Sequence, residues 1–156
     1  MTQARGAMPR ARKFFSLPRA EQRLVGEGVV ALGVIRFGLW LFPVRRVREI
    51  AARVARWTAT GGRRHDGSIP IRVGGAVARA SACIPRASCL PQALAAQFLL
   101  ERRGYSPVIR IGMARGVEGR PAAHAWVEHR GVVILGGGFS PEIVLPVLAG
   151  KGPDGR

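Results

Sequence analysis

The apolar spacing of this chain changes character at Gly104. Before it, hydrophobic residues recur every three or four positions, as in helices; beyond it, they alternate or run in short β-branched blocks, as in strands. That order puts helical segments first and short strands after them. The 156 residues suffice for one domain with a real core.

Residues 1–15 are basic without apolar period and are expected to be loose, with Phe14 and Phe15 the first able to dock. Ser16 is the expected N-cap of a helix running through Pro18, Leu24 and Val25 to about Trp40. Its glycines at 26, 28, 33 and 38 weaken it by about 1 kcal/mol each relative to alanine, unless they let another element approach closely. Pro43 interrupts, and Val44, Val47, Ala51, Val54 and Thr58 mark a second helix whose opposite face carries Arg45, Arg46, Arg48, Arg53 and Arg56. The stretch from Thr60 to Pro70 reads as a loop, which divides a helical N-terminal region, 1–70, from a core, 71–150, followed by a tail, 151–156. A short helix over Gly75 to Cys83 is expected next, with Ile84-Pro85 as its break. Three strands are then expected, around Val108 to Gly112, His124 to Glu128 and Val132 to Leu135, with the last two joined by a hairpin at Arg130-Gly131. A brief apolar segment from Ile143 to Leu148 follows.

The formal charge of +16 comes almost wholly from arginine, and residues 1–72 hold 15 basic against 4 acidic side chains. An acidic partner follows from such a field: a nucleic acid, an anionic peptide or protein, or a membrane surface. The run from Leu24 to Phe42 is apolar, but Glu27 and Arg36 would each cost roughly 2.5–3.5 kcal/mol near a bilayer centre. It reads as a buried or surface-lying helix, so no transmembrane span is expected. Two cysteines, Cys83 and Cys89, are too few for a disulfide scaffold and form no zinc pattern, so no metal or other cofactor is expected. A cytoplasmic protein is the resulting expectation, since no secretion signal is evident.

The segment from Ser88 to Gly104 reads as one helix with Pro91 in its first turn and Gly104 just past its end. Cys89 therefore opens a helix. Helix N-termini lower thiol pKa values, and the thiolate is the nucleophile. A lone cysteine is more often a small core hydrophobe, and Cys83 is read that way. A nucleophilic cysteine needs a base. Of three histidines, His65 falls in the polar loop and His129 beside the hairpin turn, whereas His124 opens an alternating strand with Trp126 on the same face. A strand histidine set against a helix N-terminus has the geometry a thiolate–imidazolium pair requires.

These residues carry a resemblance. Cys89-Leu90, Ala93-Leu94-Ala95, Leu99-Leu100, Arg102-Arg103-Gly104, Ile111-Gly112 and the string from His124 to Glu128 resemble the transglutaminase-like cysteine proteases that remove leader peptides in lasso-peptide biosynthesis. The likeness covers roughly residues 75–140, and more loosely Phe15-Ser16-Leu17 and the Arg36 to Leu41 region. It implies a papain-like Cys-His-Asp triad on an α+β fold, with the catalytic helix packed on a small antiparallel sheet and a helical N-terminal lead-in. Here the chain departs from the family: the position near 136, across the hairpin from His124, is glycine where an aspartate is usual. Asp66 and Asp154 lie in expected loops, and Glu128 is about 13 Å along the strand from His124. Glu142 ranks first as the third member, with a backbone carbonyl or a side-chain amide as the alternatives. The backbone N–H of Cys89 and the side chain of Gln92, one turn in, are the expected oxyanion donors.

The resemblance further implies a precursor peptide as substrate, a separate winged-helix-like leader-binding protein acting in trans, and a macrolactam-forming cyclase as the next enzyme. The arginine-faced helix, or the glycine-rich helix before it, is the expected docking surface. Two other readings remain: a basic nucleic-acid-binding module, supported by charge alone and lacking a stacking platform, and a catalytically impaired scaffold of the same fold.

Overall fold

Proline marks the start of each described helix. The computed structural model describes residues 17–59, 66–84, 88–115, 121–137 and 143–148, and among these four helices precede four strands. Pro18 and Pro43 occupy the N-cap positions of α1 (Arg19–Leu41) and α2 (Val44–Trp57). Pro70 and Pro91 sit in the first turns of α3 (Ser68–Ser81) and α4 (Cys89–Glu101). A first-turn proline loses no hydrogen bond and arrives with its φ already helical. Ser16, the expected cap of α1, lies outside the described residues, as do residues 1–15.

α3 corrects the sequence reading. It begins at Ser68 rather than Gly75, because Asp66 Oδ1 accepts the Ser68 N–H at 2.9 Å and Pro70 opens the helix instead of ending a loop. The expected division at residue 70 therefore runs through α3, and one core cluster spans it from Leu24 to Leu135. Cys83, expected in the core, is exposed just beyond the end of α3.

The strands β1 (Val108–Arg115), β2 (Pro121–His129), β3 (Val132–Leu135) and β4 (Ile143–Leu148) form an antiparallel sheet in the order β3-β2-β1-β4. The segment from Ile143 to Leu148 is thus a full strand. It holds the sheet's end, where Pro146 is tolerated for want of an N–H. Arg130 and Gly131 both take positive φ, 51° and 77°, as the two-residue turn of the β2–β3 hairpin requires.

α4 is the axis of the molecule. Its apolar residues show no single face because α1, α2, α3 and the sheet all pack on it, and Ala93, Ala95, Ala96, Leu99 and Leu100 are buried. Small residues bring the other helices close: a Cβ on Gly28 of α1 would lie 3.2 Å from that of Ala80 in α3. Two carboxylates of α1 fix its angle. Glu21 pairs with Arg72 at 2.7 Å and Arg79 at 3.3 Å, and Glu27 pairs with Arg103 at 2.6 Å.

α1 is long and apolar enough, at 23 residues, to cross a membrane by length and composition. Leu24, Val25, Ala31, Leu32 and Ile35 instead bury one side of it in the core with α3 and α4.

Candidate active site

Ser88, in an extended conformation, caps α4, and its carbonyl receives the Gln92 N–H at 3.4 Å. The first N–H groups of a helix have no partner within it, so the backbone at Cys89 and Leu90 presents donors toward whatever approaches that end. Cys89 is half-buried there. Gln92, three residues on, falls on the same side of the helix. Both line a cavity of about 340 Å³ whose far wall is His124, Ala125, Leu135 and Gly136. The two expected reacting groups, Cys89 and His124, therefore share one cavity, with Gln92 between the same walls.

His124 reaches the cavity from β2, where its neighbour across the ladder is Gly112 of β1, which carries no side chain. Its Nε2–H donates to the Gly136 carbonyl oxygen at 3.0 Å. Because a carbonyl can only accept, this bond puts the ring proton on Nε2 and makes Nδ1 the basic nitrogen of the neutral imidazole.

Gly136 is fixed as glycine by two independent constraints. Its φ is +82°, and a Cβ built on it would meet the Trp126 Cβ at 2.9 Å and the Ala125 carbonyl oxygen at 3.0 Å. An aspartate cannot occupy this position without moving β2. The backbone carbonyl, one of the alternatives open from the sequence, orients the histidine; it supplies a dipole where a carboxylate would supply a charge. Glu142, ranked first for that role, lies outside the described residues, and so do Asp154 and His65.

The remaining candidates are engaged elsewhere. Glu128 accepts the Trp126 indole N–H at 2.7 Å and the Arg110 Nε–H at 3.0 Å, and the indole, followed by the arginine, holds its carboxyl below the usual range. The chain from Arg110 through Glu128 to Trp126 stiffens β2 next to Gly136. Asp66 starts α3, and its backbone carbonyl receives the Tyr105 hydroxyl at 2.9 Å. His129 donates from Nδ1 to the Ser106 carbonyl at 3.2 Å and stands edge-on to Tyr105.

A family model described as the transglutaminase-like superfamily matches residues 31–143, well over half of the chain, and that span holds Cys89, Gln92, His124 and Gly136. The chain belongs to the transglutaminase-like superfamily. That superfamily includes cysteine proteases. The match opens within α1 and closes on the first residue of β4, so the helices α2 and α3 are part of the transglutaminase-like unit. No curated protein and no solved structure matches the chain.

Proposed function

We propose that this transglutaminase-like protein is a cysteine endopeptidase that removes the leader from a lasso-peptide precursor. The observation that carries the reading is the shared cavity of Cys89 and His124, with the His124 ring held by the Gly136 carbonyl. In the first step Cys89 Sγ attacks the carbonyl carbon of the leader–core bond while His124 Nδ1 takes the thiol proton. The oxyanion forms beside the Cys89 backbone N–H and the Gln92 side chain. Collapse of that intermediate breaks the C–N bond, and the imidazolium returns its proton to the leaving amine. Water, deprotonated by the same nitrogen, then hydrolyses the thioester and frees Cys89. A carbonyl in place of a carboxylate supports the imidazolium less strongly, so the reaction runs slowly but proceeds, cysteine being intrinsically nucleophilic.

Under this reading the precursor's leader is presented by a separate winged-helix-like protein, and the freed core amine passes to the cyclase. The test is incubation of the protein and the leader-binding partner with precursor, followed by mass spectrometry. Cleavage that Cys89→Ala abolishes supports the reading. Cleavage that survives in Cys89→Ala excludes it.

A further inference from the structure

Away from Cys89, α1 and α2 diverge from their junction at Phe42-Pro43 and leave an apolar groove of about 580 Å³ with α4 as its floor. Val30, Val34 and Phe37 form one wall, Ile50 and Val54 the other, and Leu99 lies at the bottom. The walls are open to solvent: Val30 and Val34 are each 66% exposed and Ile50 is 51% exposed. Contiguous apolar rows of this kind on a folded domain mark an interaction surface.

The charges around the groove select the occupant. On α2, Arg46 and Arg53 stand one turn either side of Ile50 along the outer edge, and on α1 Arg23 stands two turns before Val30; all three are exposed. The acid that lines the groove, Glu27, is already bound by Arg103. The one exposed acid among the described residues of α2, Glu49, is paired with Arg45, so the rim keeps a net positive charge. The groove runs along α1 from Gly26 to Leu41, about 23 Å at 1.5 Å per residue, the length of four turns of helix.

We propose that this groove binds an amphipathic helix of a partner protein, apolar on one face and flanked by glutamates or aspartates, its side chains set between α1 and α2. Residues 1–16 of the chain itself bring Arg5, Arg10, Arg12 and Lys13 and no acid, the wrong sign for this rim. A second copy related by a two-fold axis would set arginine against arginine. A flat lipid surface meets the exposed walls at Val30, Val34 and Ile50 but not the floor at Leu99, which is 1% exposed. The proposal does not rest on the peptidase reading, since neither Cys89 nor His124 touches the groove.

The test titrates the full chain, by calorimetry, with a capped synthetic helix of about 18 residues bearing leucines at i, i+3, i+4 and i+7 and glutamates along both flanks. A lysine version of the same peptide, phosphatidylglycerol vesicles and sedimentation of the protein alone are run beside it. The expected result is 1:1 binding of the glutamate peptide that weakens with salt and falls by about tenfold or more in Val34→Asp. The exposed pair Arg46→Glu/Arg53→Glu, checked by circular dichroism, should lose the glutamate peptide and gain the lysine peptide, and it decides the matter if Val34→Asp does not fold. Equal binding of both peptides by the wild type, binding untouched by both variants, vesicle binding or dimerisation without peptide binding, or no binding at all would each overturn the proposal.

Discussion

The Nε2 of His124 lies 3.0 Å from the carbonyl oxygen of Gly136, and a Cβ on Gly136 would lie 2.9 Å from that of Trp126. One glycine thus orients the histidine through its backbone and packs the sheet through its lack of a side chain. Replacement by alanine imposes about 1–2 kcal/mol for a left-handed residue with a Cβ and about 1–3 kcal/mol for overpacking. Gly136→Ala should therefore lower the denaturant midpoint by the equivalent of about 2–5 kcal/mol. Gly136→Asp should fare no better and should not raise activity, although it supplies the aspartate that the resemblance led one to expect there; wild-type stability in either variant would show that the turn is looser than its geometry implies.

Helix glycines separate into two kinds. A Cβ on Gly74 of α3 would collide with the Ile134 carbonyl of β3, whereas one on Gly33 of α1 meets nothing within 4 Å. Gly74→Ala should destabilise by about 2 kcal/mol or more, because backbone must move. Gly33→Ala should stabilise by about 0.5–1 kcal/mol through helix propensity. Thermal unfolding of the two variants side by side checks both signs.

Two carboxylates should respond to pH in opposite senses. Glu128 is held low by the Trp126 indole and Arg110, so its contribution is fully present above the ordinary carboxylate range and is lost as pH falls through its lowered pKa. Trp126→Phe removes the indole donor and should cost about 1.5–3 kcal/mol at neutral pH, with the difference shrinking in acid. Glu101 is pushed up by burial, against the hydrogen bond from Gln97. Its protonated form favours folding below the carboxylate range, and that advantage is lost as pH rises through its raised pKa, so Glu101→Gln should gain stability over wild type toward neutral pH. Acid titrations of unfolding for the three proteins measure both slopes.

Much of this arrangement is legible in residue order, for physical reasons. Pro91 and Gly104 delimit α4 and Gly131 completes the hairpin turn, because proline suits a helix's first turn and glycine readily takes the positive φ that the helix end and the turn require. The same chemistry misleads at Pro70, which breaks a helix interior but starts one equally well. Cys83 is small and apolar in composition, yet its place at the end of α3 leaves it exposed. α1 is apolar on more than one side, so spacing alone does not separate Leu32, which is buried, from Val34, which walls the groove. The group that orients His124 is a backbone carbonyl, present at every residue, and nothing in the side-chain order distinguishes the one at 136.

The most direct test of the Cys89–His124 site is the rate of iodoacetamide alkylation at neutral pH, resolved by mass spectrometry between the two cysteines in the native protein. Cys83 is exposed and Cys89 is half-buried, so access alone favours Cys83. The expected result is the reverse: Cys89 reacts first, and His124→Ala slows it by about tenfold or more while leaving Cys83 unchanged. Faster labelling of Cys83 in the wild type, or a Cys89 rate indifferent to His124, would contradict the assignment of Cys89 as nucleophile and His124 as its base.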